Sequence, residues 1–181
     1  MKAPTDTLAP GTEPAHPTEL YHAYEKLREE HEELRCRLRQ LEKRAREMSG
    51  SGRVDRPMEA LMRLRRQTLE LIHMLEVHWG WEETTFYPLL QKYFALDKGP
   101  SIMPSIWVLE RDHELAAASL EAFLGLLEEM TYPPAFEIMG KLAKQLIQAC
   151  QILRSHLDTE EELILQYVQN MVYRSQTYPS P

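Results

Sequence analysis

Apolar side chains recur at alternating spacings of three and four residues in four segments of the chain. This period matches the turn of an α-helix and marks one face of each helix as buried. Breaks rich in Gly, Pro or Ser separate the segments. The pattern therefore predicts helices over about 18–48, from 58 into the low nineties, over 105–130 and over 134–173. Pro88 is expected to kink or interrupt the second helix.

The predicted fold class is all-α, an up-down-up-down antiparallel four-helix bundle. β-Branched residues are sparse and no segment alternates polar and apolar positions for long, so we expect no strands. Short connections between long helices favour antiparallel neighbours. We predict the bundle over 18–173, a disordered N-terminal tail rich in Pro over 1–17 and a short C-terminal tail over 174–181.

One apolar stripe along each helix is expected to face the centre of the bundle. In the second helix the predicted stripe continues through Thr85 and Leu89. Four histidines and two glutamates interrupt the four stripes: His31, His78, Glu82, His113, His156 and Glu160. The remaining histidines lie elsewhere, His16 in the tail and His22 and His73 on faces opposite the stripes. Each helix therefore has one histidine on its buried face.

The four stripe histidines fall at similar depths along the predicted bundle. Counted from the end where the first two helices are connected, they agree to within roughly 8 Å at about 1.5 Å per residue. Each glutamate follows a histidine by four residues, one turn along the same face. Glu82 follows His78 in the segment HWGWEE, and Glu160 follows His156 in HLDTEE. We expect four imidazoles and two carboxylates to converge in one layer of the core.

Two explanations compete for this buried polar layer. A single histidine on an apolar face is more often a hydrogen-bonded core residue than a metal ligand. Taken together, however, the six side chains would leave several desolvated polar groups, each costing on the order of a few kcal/mol. A bound cation turns those groups into ligands. The joint pattern therefore predicts a metal site formed by all six residues.

The donor types narrow the choice of metal. Six ligands are too many for one tetrahedral zinc ion, and the layer contains no cysteine. Calcium and magnesium prefer oxygen ligands, which imidazoles do not supply. Imidazole with carboxylate suits iron, manganese or zinc, and two ions can share the glutamates as bridges. We predict two iron ions, with manganese, a mixed centre or zinc as alternatives.

Composition and charge exclude several other classes of protein. The 181 residues carry a net charge of −7 with 43% hydrophobic and 27% charged residues, as in an ordinary soluble domain. Nucleic acids and anionic membranes attract clustered Lys and Arg, so neither is an expected partner. Cys36 and Cys150 form neither a disulfide framework nor a CxxC motif. With no visible signal peptide or transmembrane run, we expect a cytoplasmic protein.

The order H, HxxxE, H, HxxxE resembles that of the hemerythrin-like (HHE cation-binding) family over roughly residues 18–173. The resemblance implies a four-helix bundle around a non-haem di-iron centre with an oxo or hydroxo bridge. It also implies ligand roles for the six residues, with both glutamates bridging. Oxygen-carrying members have a second histidine four residues after the one on the third helix, where this chain has Ala117. The pattern is closer to members linked to nitrosative and oxidative stress.

Three functions from different classes fit these residues. The first is a di-iron module that binds, senses or buffers O2, NO, peroxide or iron. The second is a di-iron enzyme of peroxide or NO chemistry, or of iron-centre repair. The third is a helical interaction protein with structural histidines. We favour the first, because no general acid or base is evident beyond the ligands, and we assign no catalytic residue. The expected partner is a diatomic ligand or peroxide; a homodimer is also considered, although no pattern supports one.

Overall fold

The computed structural model describes residues 17–49, 56–94, 102–130 and 136–177. Within these ranges all regular structure is helical and no strand occurs, which confirms the predicted fold class. The helices are α1 (Pro17–Ser49), α2 (Pro57–Trp81), α3 (Tyr87–Phe94), α4 (Met103–Glu128) and α5 (Phe136–Thr177). A π-helical segment, Glu82–Phe86, joins α2 to α3 without a break.

The helices form an up-down-up-down bundle in which α2, the π segment and α3 act as one helix. α1 packs against α2 and α5, and α4 packs against the same two helices. α2 begins at Pro57, where a proline is tolerated because the first N–H groups of a helix have no intrahelical acceptor. Each helix lies beside its neighbours in sequence, as predicted.

Two apolar clusters fill the bundle, one on each side of the polar layer. The larger cluster lies towards the α1–α2 connection and contains Leu34, Leu71, Phe123 and Leu146. The smaller cluster lies at the opposite end. Its members are Leu20, Tyr24, Leu27, Phe86, Tyr87, Leu90, Ile102, Ile106, Leu109 and Ile164. The predicted stripes supply most of both clusters, so the polar layer is enclosed by apolar side chains above and below.

Pro88 explains the π-helical segment. A proline has no backbone N–H to donate, and its ring clashes with the carbonyl four residues earlier. Immediately before Pro88 the helix widens, and the N–H of Tyr87 donates to the carbonyl of Glu82, five residues back. The chain therefore accommodates the proline with one wider turn rather than with a break.

The wider turn changes which side chains are buried after Glu82. Phe86 and Tyr87 are almost fully buried, whereas Thr85 is exposed and Leu89 is only partly buried. The predicted continuation of the stripe through Thr85 and Leu89 is therefore wrong. A regular period of 3.6 residues cannot anticipate a turn that contains one additional residue.

The ends of the bundle differ slightly from the predicted ends. α1 begins at Pro17 and α5 continues to Thr177, beyond the predicted end near residue 173. Of the tails predicted over 1–17 and 174–181, residue 17 and residues 174–177 belong to these two helices. The remaining positions, 1–16 and 178–181, lie outside the described residues. Among the described residues, no helix combines the length and apolar character needed to cross a membrane.

Candidate metal centre

The structure brings the six residues predicted as ligands together in one buried layer between the two apolar clusters. None of the six side chains is more than 4% exposed. α1 contributes His31, and α4 contributes His113. α2 contributes His78, and the π segment after it contributes Glu82. α5 contributes His156 and Glu160. The depths predicted from the sequence are therefore correct.

The four imidazoles form two pairs. Nε2 of His31 lies 3.1 Å from Nε2 of His78, so that α1 and α2 contribute one pair. Nε2 of His113 lies 3.1 Å from Nε2 of His156, and α4 and α5 contribute the other. Within each pair the rings are nearly perpendicular. All four rings thus direct the same nitrogen towards the centre of the layer.

Glu82 lies between the two pairs and turns one oxygen towards each. Its Oε1 is 2.8 Å from Nε2 of His78, and its Oε2 is 3.3 Å from Nε2 of His113. The π-helical segment begins at this residue, and the side chain is fully buried. A carboxylate in this position can bridge two cations through its two oxygens.

Glu160 is arranged differently. Its Oε2 lies 3.3 Å from Nε2 of His31 and 3.8 Å from Nε2 of His156. Its Oε1 accepts a hydrogen bond of 2.8 Å from the hydroxyl of Tyr87, which is also buried. A single oxygen of Glu160 therefore faces both histidine pairs.

The spacing of the donor atoms fits metal coordination. Nitrogen and oxygen ligands lie about 2.0–2.2 Å from a first-row metal such as zinc, so neighbouring donors are about 3 Å apart. Among the described residues, no well-formed hydrogen bond reaches either oxygen of Glu82 or Oε2 of Glu160, although all three atoms are buried. The donor atoms of His31, His78, Glu82 and Glu160 all lie within 4.8 Å of one another. This cluster can hold a metal ion.

Opposite charges keep Glu160 ionised. Burial opposes ionisation of Glu160, but the imidazole of His31, 3.3 Å from Oε2, and that of His156 outweigh it and lower the pKa of Glu160 to about 2. Burial also disfavours the charged form of His31, yet the carboxylates of Glu160, Glu161 and Glu82 raise its pKa to about 10. The carboxylate is thus in the form that binds a cation.

The second histidine pair has a different electrostatic environment. Burial lowers the pKa of His113 to about 3, and neighbouring His156 lowers it further. Its imidazole is therefore neutral at physiological pH, whereas an ion held by His31 would replace a proton there. Trp79 stacks on the same ring with 4.7 Å between the centroids and covers it from one side.

A second ring of four carboxylates lies behind the histidines. Each is near the Nδ1 atom of one histidine, the nitrogen that points away from the centre. The distances are 2.8 Å for Glu30 to His78, 3.3 Å for Glu161 to His31, 3.7 Å for Glu83 to His113 and 3.8 Å for Asp112 to His156. Such outer carboxylates orient histidine ligands and raise their basicity.

Two of these outer acids have a position that the sequence makes recognisable, and the other two do not. Glu83 and Glu161 directly follow the two glutamates of the layer, so their position was visible in the repeated EE. Glu30 and Asp112 each precede a stripe histidine, but acids are frequent on the outer helix faces and give no periodic signal. Tyr87 was missed because the π segment rotates it into the core.

The residues predicted to be bystanders lie away from the layer. His22 and His73 are exposed, and His16 lies outside the described residues. Cys36 is exposed and Cys150 is buried, and both are free thiols. Burial raises the pKa of the Cys150 thiol to about 12, so it is not a thiolate ligand.

Comparison with known proteins identifies a family for this chain. The family model described as the hemerythrin HHE cation-binding domain matches residues 20–168, which cover most of the chain and all six residues of the layer. Searches of curated proteins and of solved structures gave no match.

Proposed function

The chain belongs to the hemerythrin HHE cation-binding domain family, and from that premise we propose that it binds two iron ions and responds through them to a small ligand. The observation that carries the proposal is the pairing of the imidazoles around Glu82. His31 with His78 and His113 with His156 form two sets of donors, and one oxygen of Glu82 faces each set. We assign one ion to each pair.

The donor set is one that suits iron. Each ion would have two imidazole nitrogens and carboxylate oxygens, a mixture that suits iron, manganese or zinc. Neither free cysteine contributes to the layer, since Cys36 is exposed and Cys150 lies in the larger apolar cluster. Manganese, zinc or a mixed centre is the alternative that metal analysis distinguishes.

The two glutamates have distinct roles in this proposal. Glu82 would help to hold both ions, because one of its oxygens faces each histidine pair. Glu160 reaches both histidine pairs with the same oxygen, Oε2, while Tyr87 holds Oε1. With six donor residues shared between two ions, the protein would leave coordination positions at which small molecules could bind. The apolar clusters on both sides favour uncharged ligands such as O2 or NO over hydrated ions.

Binding is favoured over turnover by the state of Tyr87. Burial strongly raises the pKa of its phenol, and the nearby carboxylates raise it further. The hydroxyl nearest the layer therefore acts as a hydrogen-bond donor and does not readily give up its proton. Peroxide or NO turnover, and repair of iron centres, are kept as the alternative function at the same site.

Metal analysis combined with visible spectroscopy tests this proposal. The protein expressed with iron is expected to contain about two irons per chain, as two sets of donors require. Its spectrum is recorded before and after O2, NO and peroxide, and consumption of peroxide and NO is measured in the same samples. A spectral change without consumption supports ligand binding, whereas consumption supports the enzyme. Zinc alone, or no metal in a folded protein, would contradict both.

Two matched variants control for metal bound elsewhere on the chain. His78→Ala removes a predicted ligand, and His73→Ala removes an exposed histidine of the same helix. Iron content should fall in the first variant and stay unchanged in the second.

Three further expectations stay predictions. The partner is a small diatomic ligand or peroxide, the location is cytoplasmic, and a homodimer is considered.

A further inference from the structure

The two halves of the centre are unequal, and we infer that the chain binds one metal ion at His31 and His78 before it binds a second at His113 and His156. This inference rests on the proposed function, because it assigns an order to the same two ions.

The contacts inside the layer are shorter in the first half. Nε2 of His78 is 2.8 Å from Glu82, whereas Nε2 of His113 is 3.3 Å from the same carboxylate. Nε2 of His31 is 3.3 Å from Oε2 of Glu160, whereas Nε2 of His156 is 3.8 Å from it. The donors of the first half are therefore closer to the arrangement that a bound ion requires.

The contacts outside the layer differ in the same direction. Nδ1 of His78 donates a hydrogen bond of 2.8 Å to Glu30. Asp112 is the corresponding acid behind His156, but its nearest oxygen lies 3.8 Å from Nδ1, beyond hydrogen-bonding distance. The ring of His78 is thus fixed with its Nε2 atom directed into the layer, and the ring of His156 is not fixed in this way.

The sequence explains why the acid behind His156 is farther away than the acid behind His78. In each half, one helix has an acidic residue followed directly by a histidine. The next helix has a histidine, three intervening residues and then two glutamates. In the first half the leading acid is Glu30, directly before His31, and in the second it is Asp112, directly before His113. Each of these acids faces the histidine of the following helix. Aspartate is one methylene shorter than glutamate, which accounts for the longer distance.

A second difference lies four residues after each leading histidine. Arg35 follows His31 at this spacing and donates a hydrogen bond of 2.9 Å to Glu161, which lies 3.3 Å from Nδ1 of His31. Ala117 follows His113 at the same spacing and has no group that could hold an acid. The corresponding acid, Glu83, is half exposed and lies 3.7 Å from Nδ1 of His113.

These differences predict how far the affinities of the two halves for a metal ion differ. Loss of an outer partner of a histidine ligand typically lowers metal affinity about 10–100-fold. In the first half Glu30 accepts a hydrogen bond from Nδ1 of His78, and Glu161 lies 3.3 Å from Nδ1 of His31. In the second half neither outer acid is within hydrogen-bonding distance of its histidine. We therefore expect the two ions to bind with dissociation constants that differ by about 10–100-fold or more.

Anaerobic calorimetric titration of the metal-free, full-length chain with Fe2+ tests the order of binding. The unaltered protein should show two resolved events. Glu30→Asp shortens the acid behind His78 and should weaken the tighter event by about tenfold or more. Asp112→Glu lengthens the acid behind His156 and should tighten the weaker event. His156→Ala should remove the weaker event and leave the tighter one.

The two exchanges of acidic residues keep the charge, and circular dichroism shows whether each variant is folded. Glu29→Asp, an exposed acid on the same helix as Glu30, should leave both events unchanged. Two events of equal affinity in the unaltered protein would overturn the inference and leave the two-ion proposal intact. The inference is likewise overturned if Glu30→Asp weakens the second event instead of the first. Fewer than two ions bound to the unaltered protein would overturn both.

Discussion

The hydroxyl of Tyr87 donates a hydrogen bond of 2.8 Å to Oε1 of Glu160, and both side chains are almost completely buried. The bond holds one oxygen of the carboxylate away from the histidines, while the other oxygen faces His31 and His156. Tyr87 is thus a positioning residue for a predicted ligand. The wider turn before Pro88 makes this contact available.

Tyr87→Phe should keep both ions but alter how Glu160 binds them. Removal of the donor leaves a buried carboxylate oxygen without its hydrogen bond, which should cost about 1–3 kcal/mol in the metal-free protein. The visible spectrum of the iron-loaded protein should shift while the iron content stays near two per chain. Tyr21→Phe, at an exposed tyrosine of α1, provides the control. An unchanged spectrum would show that the hydrogen bond does not affect the ligand.

Two neighbouring substitutions test which side chains of the π segment are buried. Phe86→Ala should lower the free energy of unfolding by about 3–5 kcal/mol, because it leaves a cavity in the smaller apolar cluster. Thr85→Ala, at an exposed side chain, should change it by less than about 0.5 kcal/mol. Urea unfolding monitored by circular dichroism measures both values. The regular helical period predicts the opposite ranking, and that result would contradict the π segment.

Glu82→Ala and Glu160→Ala should each lose most of the bound metal. The first removes the carboxylate whose oxygens face both pairs, and the second removes the oxygen shared between His31 and His156. Because metal binds the folded state, both variants should also lose the thermal stabilisation that iron gives the unaltered protein. Melting curves with and without a chelator provide the measurement. Two ions retained in both variants would exclude these glutamates as bridges.

Acid should weaken an ion-pair network that connects α1 to α5. Glu42 is nearly buried and contacts Arg46 at 2.6 Å and Arg154 at 3.0 Å. The hydrogen bond to Arg46 holds the pKa of Glu42 below its usual value of 4.5, although burial opposes it. A lowered pKa means that this stabilisation is present above pH 4.5 and is lost as the pH falls through the folded-state pKa.

Glu42→Gln should therefore cost about 1 kcal/mol at pH 7 and progressively less below about pH 4. Thermal melting of the metal-free protein across this pH range measures the difference. Glu47→Gln, an exposed acid on the same helix, should have little effect at any pH. A cost for Glu42→Gln that does not change with pH would assign its role to packing.

The sequence predicted the layer well because two periodic signals coincide there. A helical stripe tolerates few polar residues, so each of His31, His78, His113 and His156 stands out against its apolar neighbours. Long helices with short connections then fix the depth of each position. The four-residue spacing from His156 also selects Glu160 and not Glu161, and the structure buries Glu160 completely while Glu161 lies behind His31.

Other features could not be predicted from periodicity. The position of Tyr87 depends on how the backbone accommodates Pro88, a local choice between a kink, a break and a wider turn. The outer acids Glu30 and Asp112 lie in stretches rich in charged residues, where an acid is expected on any solvent-facing position. Their roles appear only when the helices are packed and the two halves are compared. The two halves differ by one methylene, because Asp112 is shorter than Glu30, and by one guanidinium, because Ala117 stands where the first half has Arg35. These positions lie outside the motif H, HxxxE that both halves share.

Anomalous diffraction at the iron absorption edge, on crystals of the iron-loaded protein, would locate the bound ions directly. We predict two anomalous peaks in the buried layer, one beside Nε2 of His31 and His78 and the other beside Nε2 of His113 and His156, with Glu82 between them. A single peak, or peaks outside this layer, would contradict the two-ion centre.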